Sequence, residues 1–197
     1  MVTVEEKHKL TASLLSRKPL DQVTPEDRQS AKAVNFGLIY AMGAEGLRGY
    51  AKVVYNVALT LEEAKRFRSM FFQSYPGIAA WHQWTSSKIS ADAKTLSGRK
   101  RLWQSTAKIT ELLNTPVQGT AADITKKALA LLPQRLAGLG ARIVGTVHDE
   151  IILEVPQEMA KDSAANLQRT MIEAGQAYLS RVPVDVEVTI GETWAEK

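Results

Sequence analysis

The sequence predicts an α+β fold, rich in helix, with a small antiparallel sheet late in the chain. Three observations predict it. Thr24-Pro25-Glu26-Asp27 and Thr60-Leu61-Glu62-Glu63 have the form of helix-opening capping boxes, each ahead of an apolar run with helical spacing. Gly138 and Gly140 close a long run of helix-forming residues. Behind them, "ARIVGTV-HDE-IILEV" places two strand-like apolar runs on either side of three polar residues.

The elements follow in order. Residues 5–16 are predicted helical, and "PLDQV" breaks the pattern. Thr24 is the N-cap of a helix that should run to about Tyr40, with Pro25 in its first turn. "MGAEG" interrupts before a shorter helix near 45–54. Thr60 opens a helix to about Ser74, and Pro76-Gly77 turns the chain into another near 77–93. "TLSGRKRLW" predicts a hairpin turning at Ser97-Gly98. One helix is expected over 105–113 and a second from Val117 to Leu136, parted near Pro116. The His-Asp-Glu hairpin comes next, then a helix over 157–180. "VPVDVEVTI", with alternating valine and acid, predicts a last strand. The expected division is a helical part over 1–93 and an α+β part over 94–197.

The 197 residues suffice for one domain with a real core, or two small ones. There is no cysteine, which excludes disulfides and thiolate metal sites. The start "MVTVEEKHKL" does not read as a signal peptide, and no apolar run approaches the roughly 20 residues that cross a bilayer. The expectation is a cytoplasmic, nucleoid-associated protein without a membrane partner. Net charge is +4 and unevenly spread. Residues 1–103 carry 16 Lys and Arg against 9 Asp and Glu (net +7), and residues 104–197 carry 9 against 12 (net −3). A basic half suits a polyanionic partner.

Arg28, Lys32, Phe36 and Tyr40 recur at intervals of four. Each step drifts only ~40° round a helix, so the stripe slants by ~120° over ~18 Å. Two cations occupy one half and two rings the other. A nucleoside triphosphate has the same polarity: cations suit phosphates and rings suit sugar and base. By periodicity alone, an amphipathic helix with its rings in the core is the favoured reading. Gly37 sits inside this helix, where glycine costs about 1 kcal/mol against alanine, and it permits close approach by something bulky.

In "VHDEI", Asp149 and Glu150 sit between two apolar runs, at a tight turn where carboxylates can hold Mg²⁺. A plain polar turn is the alternative. A histidine–aspartate metal phosphohydrolase would need more ligands; the other histidines, His8 and His82, lie in unrelated settings. In "NTPVQGTAADI", Asn114 and Gln118 are four apart, and their amides can reach base edges in a minor groove. Capping and helix–helix packing by "GTAA" is the alternative. Trp81 and Trp84 read as core or interface packing. Arg99-Lys100-Arg101 could touch phosphates, though a solvated charge run is commoner.

Taken together and in this order, these segments resemble the C-terminal part of family A DNA polymerases, the bacterial DNA polymerase I-like group. "DRQSAKAVNFGLIY" is similar to the family's fingers-helix motif, "VHDEI" to its second palm carboxylate motif, "NTPVQGTAADI" to its template-primer segment and "IGETW" to its C-terminus. The resemblance covers about residue 5 to the end. It implies that residues 1–93 are fingers-like and 94–197 a partial palm. Arg28, Lys32 and His8 would hold the dNTP triphosphate, Phe36 would pack on the deoxyribose, and Tyr40 would lie by the templating position. Asn114 and Gln118 would contact the minor groove of primer-template DNA, and His148 would lie near the primer end. Asp149 would ligate Mg²⁺ and Glu150 would support that site.

The implied reaction is attack of a primer 3′-OH on the dNTP α-phosphate, releasing pyrophosphate, with two Mg²⁺ at the reacting oxygens. The family's other palm motif, similar to Asp-Tyr-Ser-x-Ile-Glu, does not occur in these residues and would precede residue 1. The expectation is therefore a fragment or split subunit, associating with a chain that carries the missing strand or with itself. The alternative is a catalytically inactive remnant that binds DNA or dNTP. Three departures from the family pattern stand out: Ala41 where glycine is usual, Thr110 where arginine is common, and a short stretch between Gly98 and Asn114.

Overall fold

The computed structural model of the chain describes residues 4–88 and 90–196. It folds as two compact units. The first comprises Met1–Asp92 and Leu102–Asn114, the second Ala93–Arg101 and Thr115–Lys197.

The first unit contains helices α1 (Val4–Ser16), α2 (Pro25–Leu38), α3 (Ala44–Tyr55), α4 (Leu61–Ser74) and α5 (Pro76–Ser87). Both predicted capping boxes form. The Thr24 hydroxyl accepts from the Asp27 amide while the Asp27 carboxylate accepts from the Thr24 amide, and Thr60 and Glu63 do the same. Each such cap is worth about 1 kcal/mol. Ala12, Leu15, Ala31, Val34, Leu38, Leu47, Ala64, Phe67 and Phe71 make the core. Alanines on α1, α2 and α4 let these helices approach closely.

Helix α2 closes in a tight turn. The Ala41 amide donates to the Leu38 carbonyl and the Met42 amide to the Gly37 carbonyl. Ala41 takes φ +64°, the left-handed conformation that this closing turn needs and that glycine adopts without strain. A Cβ at Gly37 would lie 3.1 Å from Leu47 Cδ1 and 3.2 Å from Met42 Sδ, so the bulky neighbour that this glycine admits is α3.

Helix α5 ends at Ser87, not near 93 as the sequence predicts. Residues 92–94 pair in a hairpin instead: β1 (Asp92–Lys94) and β2 (Lys100–Leu102) form a two-stranded sheet. The Trp103 amide extends the pairing by donating to the Ala91 carbonyl. Trp84 is also not core: it is 58% exposed, with Lys88 Nζ 4.5 Å above its ring.

The two helices predicted over 105–136 are one, α6 (Ile109–Arg135), which runs through Pro116 and Pro133. A proline inside a helix removes one hydrogen bond and costs about 3 kcal/mol. Burial on both sides of Pro116 offsets that cost. Leu112 and Leu113 are buried on one side, Ala128 and Leu132 on the other. A buried leucine contributes roughly 1.5–3 kcal/mol.

In the second unit, Ala128 and Leu132 of α6 and Leu136 just after it pack with Ile151, Leu167 and Ala174. Strands β3 (Arg142–Val147) and β4 (Glu150–Glu154) pair antiparallel, Val147 opposite Glu150 and Arg142 opposite Glu154. The register slips between Ile143 and Gly145, leaving Val144 as the extra residue of a bulge. Helix α7 (Ala160–Gln176) follows a short 3₁₀ turn, Gln157–Met159. The last predicted strand does not form: among the described residues, nothing pairs with 182–190. That stretch leans on α7 instead. Gln168 Nε2 donates to the Val186 carbonyl at 2.8 Å, and Val184 packs where a Cβ on Gly175 would sit. Alternation alone does not make a strand without a ladder partner.

Candidate functional site

The predicted site residues fall into three groups. The first centres on α2. Arg28, Lys32 and Phe36 follow one another up the helix, and Tyr40 lies just past its last regular turn. Phe36 is 49% exposed, which sets aside the purely amphipathic reading: this ring is not in the core. The buried face of α2 is instead Ala31, Ala33, Val34, Gly37 and Leu38. Lys32 is half-buried, and among the described residues no carboxylate pairs with it. His82 Nε2 donates to the Ile39 carbonyl at 2.8 Å and so steadies the helix end beside Tyr40.

His8 comes from α1, 20 residues before Arg28, and the fold brings it to this face. Its ring centroid is 5.5 Å from that of Phe36, tilted by 45°. Asn35, which the sequence reading passed over, holds His8: Asn35 Nδ2 lies 2.9 Å from His8 Nδ1. Thr11 donates to Asn35 Oδ1 at 3.2 Å and lies 2.8 Å from the Tyr75 hydroxyl. His8 and Thr11 are buried. At the helix start, Lys18 Nζ donates to Asp27 Oδ2 at 2.6 Å. That bond, with those from Thr24, holds the Asp27 carboxyl below the usual aspartate range against the opposing effect of burial. Only the "NFG" in the motif hinted at Asn35; Thr11 and Tyr75 carry no local signal.

The second group is the β3–β4 turn. His148 and Asp149 form the two-residue turn, both exposed, with His148 at φ +56°. Positive φ is what a two-residue hairpin turn demands. Glu150 is the first residue of β4, half-buried, and accepts from Trp194 Nε1 at 3.1 Å. Trp194 belongs to the quoted "IGETW", but its tie to Glu150 spans 44 positions and has no sequence signal. Among the described residues, no group of three or more histidine, aspartate or glutamate side chains is arranged to hold a metal ion. The carboxylates of this turn therefore do not fit a complete two-Mg²⁺ site by themselves.

The third group is on α6. Gln118 is exposed and Asn114 half-buried, both inside the helix and not at a helix junction. The neighbouring stripe, Gly119, Thr120 and Asp123, grips the 95–101 hairpin. A Cβ on Gly119 would meet Thr95 Cγ2 at 2.5 Å, so the hairpin lies directly on the glycine. Thr120 Oγ1 accepts from the Leu96 amide at 3.0 Å. Asp123, only 8% exposed, accepts from Ser97 Oγ and Arg99 Nε, both at 2.7 Å. Burial pushes the Asp123 carboxyl up, but bonds from Thr95, Ser97 and Arg99 and the charge of Arg99 together hold it below its ordinary value. "GTAAD" thus packs a hairpin, not a helix. Arg99 and Arg101 turn toward α6, with Arg101 3.3 Å from Thr115 Oγ1, while Lys100 stays exposed.

Residues 3–196 match the family model for DNA polymerase family A. The chain is 38% identical over 198 residues to DNA polymerase I of Aquifex aeolicus, covering 98% of this chain and 34% of that protein. It is also 38% identical over 198 residues to the thermostable DNA polymerase I of Thermus aquaticus, covering 95% of this chain and 23% of that one. Among solved structures it is similar to the POL domain of Pol1 from M. smegmatis in complex with DNA primer-template and dNTP. The TM-score there is 0.72 with 30% identity, over 85% of this chain and 31% of that one. The chain thus spans about a third or less of these relatives.

Proposed function

The chain belongs to DNA polymerase family A, and on that premise we propose that it serves template-directed DNA synthesis, supplying the nucleotide-binding helix and one carboxylate turn. Residues 1–93 act as fingers and 94–197 as part of the palm. The observation that carries this reading is the face of α2: an exposed Phe36 beside His8, with Lys32 one turn away.

Lys32, Arg28 and His8 bind the triphosphate, whose negative oxygens accept charge-assisted hydrogen bonds. Phe36 packs on the sugar and Tyr40 lies by the templating base. Holding the nucleotide in one pose turns an encounter into an oriented attack. Gln118 and Asn114 donate to minor-groove acceptors of primer-template DNA, and His148 lies near the primer end. Asp149, with Glu150 beside it, is the Mg²⁺-directed carboxylate. The second metal-binding aspartate lies outside these 197 residues, on a strand that completes the sheet. The open face of β3, with Ile143, Val144 and Val147 exposed, suits a strand docking beside it.

Primer extension with dNTPs and Mg²⁺ tests this, run with the chain alone and with a fragment of a relative that carries the Asp-Tyr-Ser-x-Ile-Glu strand. Extension only in the mixture, lost with Asp149→Ala, is the expected result. Extension by the chain alone would sink the partner requirement. DNA or dNTP binding without extension in either case would support the inactive-remnant reading.

A further inference from the structure

We propose that Asn35 is a positioning residue that sets the tautomer of His8, so that the neutral ring carries its proton on Nε2 and donates from that nitrogen. Its functional consequence rests on the reading of His8 as a phosphate contact; its chemistry does not.

The Thr11 hydroxyl donates to Asn35 Oδ1 at 3.2 Å. Thr11 also lies 2.8 Å from the Tyr75 hydroxyl. With Oδ1 turned to Thr11, the Asn35 amide nitrogen faces His8 Nδ1 at 2.9 Å. An amide nitrogen only donates, so Nδ1 must offer its lone pair, and the proton of the neutral ring sits on Nε2. The relay runs Tyr75 to Thr11 to Asn35 to His8 and joins α1, α2 and the residue capping α4. Thr11 is 2% exposed and His8 7%, so water does not readily replace a lost partner. Phe36, packed 5.5 Å from the imidazole, restricts its rotation.

The direction of the relay matters because phosphate oxygens only accept. A ring protonated on Nδ1 alone would turn a lone pair on Nε2 toward them. The relay selects the tautomer with a donor at Nε2 before any nucleotide arrives, so no proton need be rearranged on binding.

Nitrogen-15 spectra of histidine-labelled protein read the tautomer directly, and the chain has only three histidines, separable with His82→Gln and His148→Gln. The expected wild-type spectrum shows His8 neutral and protonated on Nε2. Asn35→Asp replaces the donor with an acceptor and should move the proton to Nδ1. Thr11→Val releases the amide and should leave His8 a mixture, with dATP affinity down about tenfold, the worth of one oriented hydrogen bond. A wild-type His8 protonated on Nδ1 means the relay runs the other way and overturns the proposal. So does an Asn35→Asp or Thr11→Val chain that loses thermal stability but keeps the Nε2–H signature, because a purely structural role predicts that outcome. Mixed tautomers with unchanged dATP affinity overturn the positioning role. If wild type binds no dATP at all, the phosphate-contact reading fails, and the spectra still decide the tautomer.

Discussion

Helix α2 and the β3–β4 hairpin carry the two halves of the proposed chemistry and are built in opposite ways. Around α2, the half-buried Lys32 and the exposed Phe36 stand on buried support: a core face of alanine and valine, a capping box, and a hydrogen-bond relay reaching into α1 and Tyr75. The hairpin is a single pair of strands. Every residue of β3 except Gly145 is exposed, and Asp149 stands on an exposed turn. A binding face can be finished by one unit's own packing. A two-stranded sheet is marginal without a third strand or a covering layer. The contrast teaches that the proposed nucleotide face is self-supporting within these residues, whereas β3 and the carboxylate turn are left exposed.

That contrast can be broken. The largest effect should come from Asp149→Ala in any assembly that extends primers. It should lower kcat by a factor on the order of a thousand or more, as loss of a group stabilising charge at the reacting centre does, while dNTP affinity stays within about twofold. A large loss of dNTP affinity would show that the turn also builds the nucleotide face. Lys32→Ala should do the converse. Removing a charge-assisted bond worth about 1.5–3 kcal/mol weakens dNTP binding roughly ten- to hundredfold, measured by fluorescence titration, with Tm nearly unchanged.

Smaller effects probe the support under α2. Ala41 holds a left-handed conformation that costs an L-residue with a Cβ about 1 kcal/mol, so Ala41→Gly should raise stability by about that amount. In a chain of this size that is roughly 2–4 °C in Tm by calorimetry. No gain would mean that the closing turn relaxes without strain.

The smallest effect is pH-linked. Lys18 and Thr24 lower the Asp27 pKa in the folded chain. A lowered carboxylate contributes stability above its unfolded pKa, about 3.9, and loses it as pH falls through the lower folded value. Asp27→Asn should therefore be less stable than wild type near pH 7, and the gap should close below about pH 4. Urea midpoints at several pH values measure it. A gap that persists unchanged in acid would assign the loss to the cap geometry and not to charge.

What could be read in advance was what neighbouring residues decide. Thr24 and Thr60 cap their helices as their spacing predicts, and His148-Asp149 turns where the residue types allow, while the other hairpin turns at Leu96-Ser97, one residue ahead of the predicted Ser97-Gly98. Misreadings cluster where distant contacts outweigh local rules. Pro116 does not break α6, because Leu113 and Leu132 are buried on either side of it. Residues 182–190 alternate like a strand, but a strand exists only with a partner.

The sequence by itself determined most of the helices, the α2 stripe, the carboxylate hairpin and, through several ordered motifs, the family. These are short-range patterns, set by backbone preferences and side-chain periodicity within a few turns. Only the tertiary structure decided which side chains hold those motifs in place: Asn35 on His8, Trp194 on Glu150, Asp123 on Ser97 and Arg99. Each of those pairs joins residues more than 20 positions apart, and an orienting hydrogen bond leaves no periodic trace in the chain that makes it.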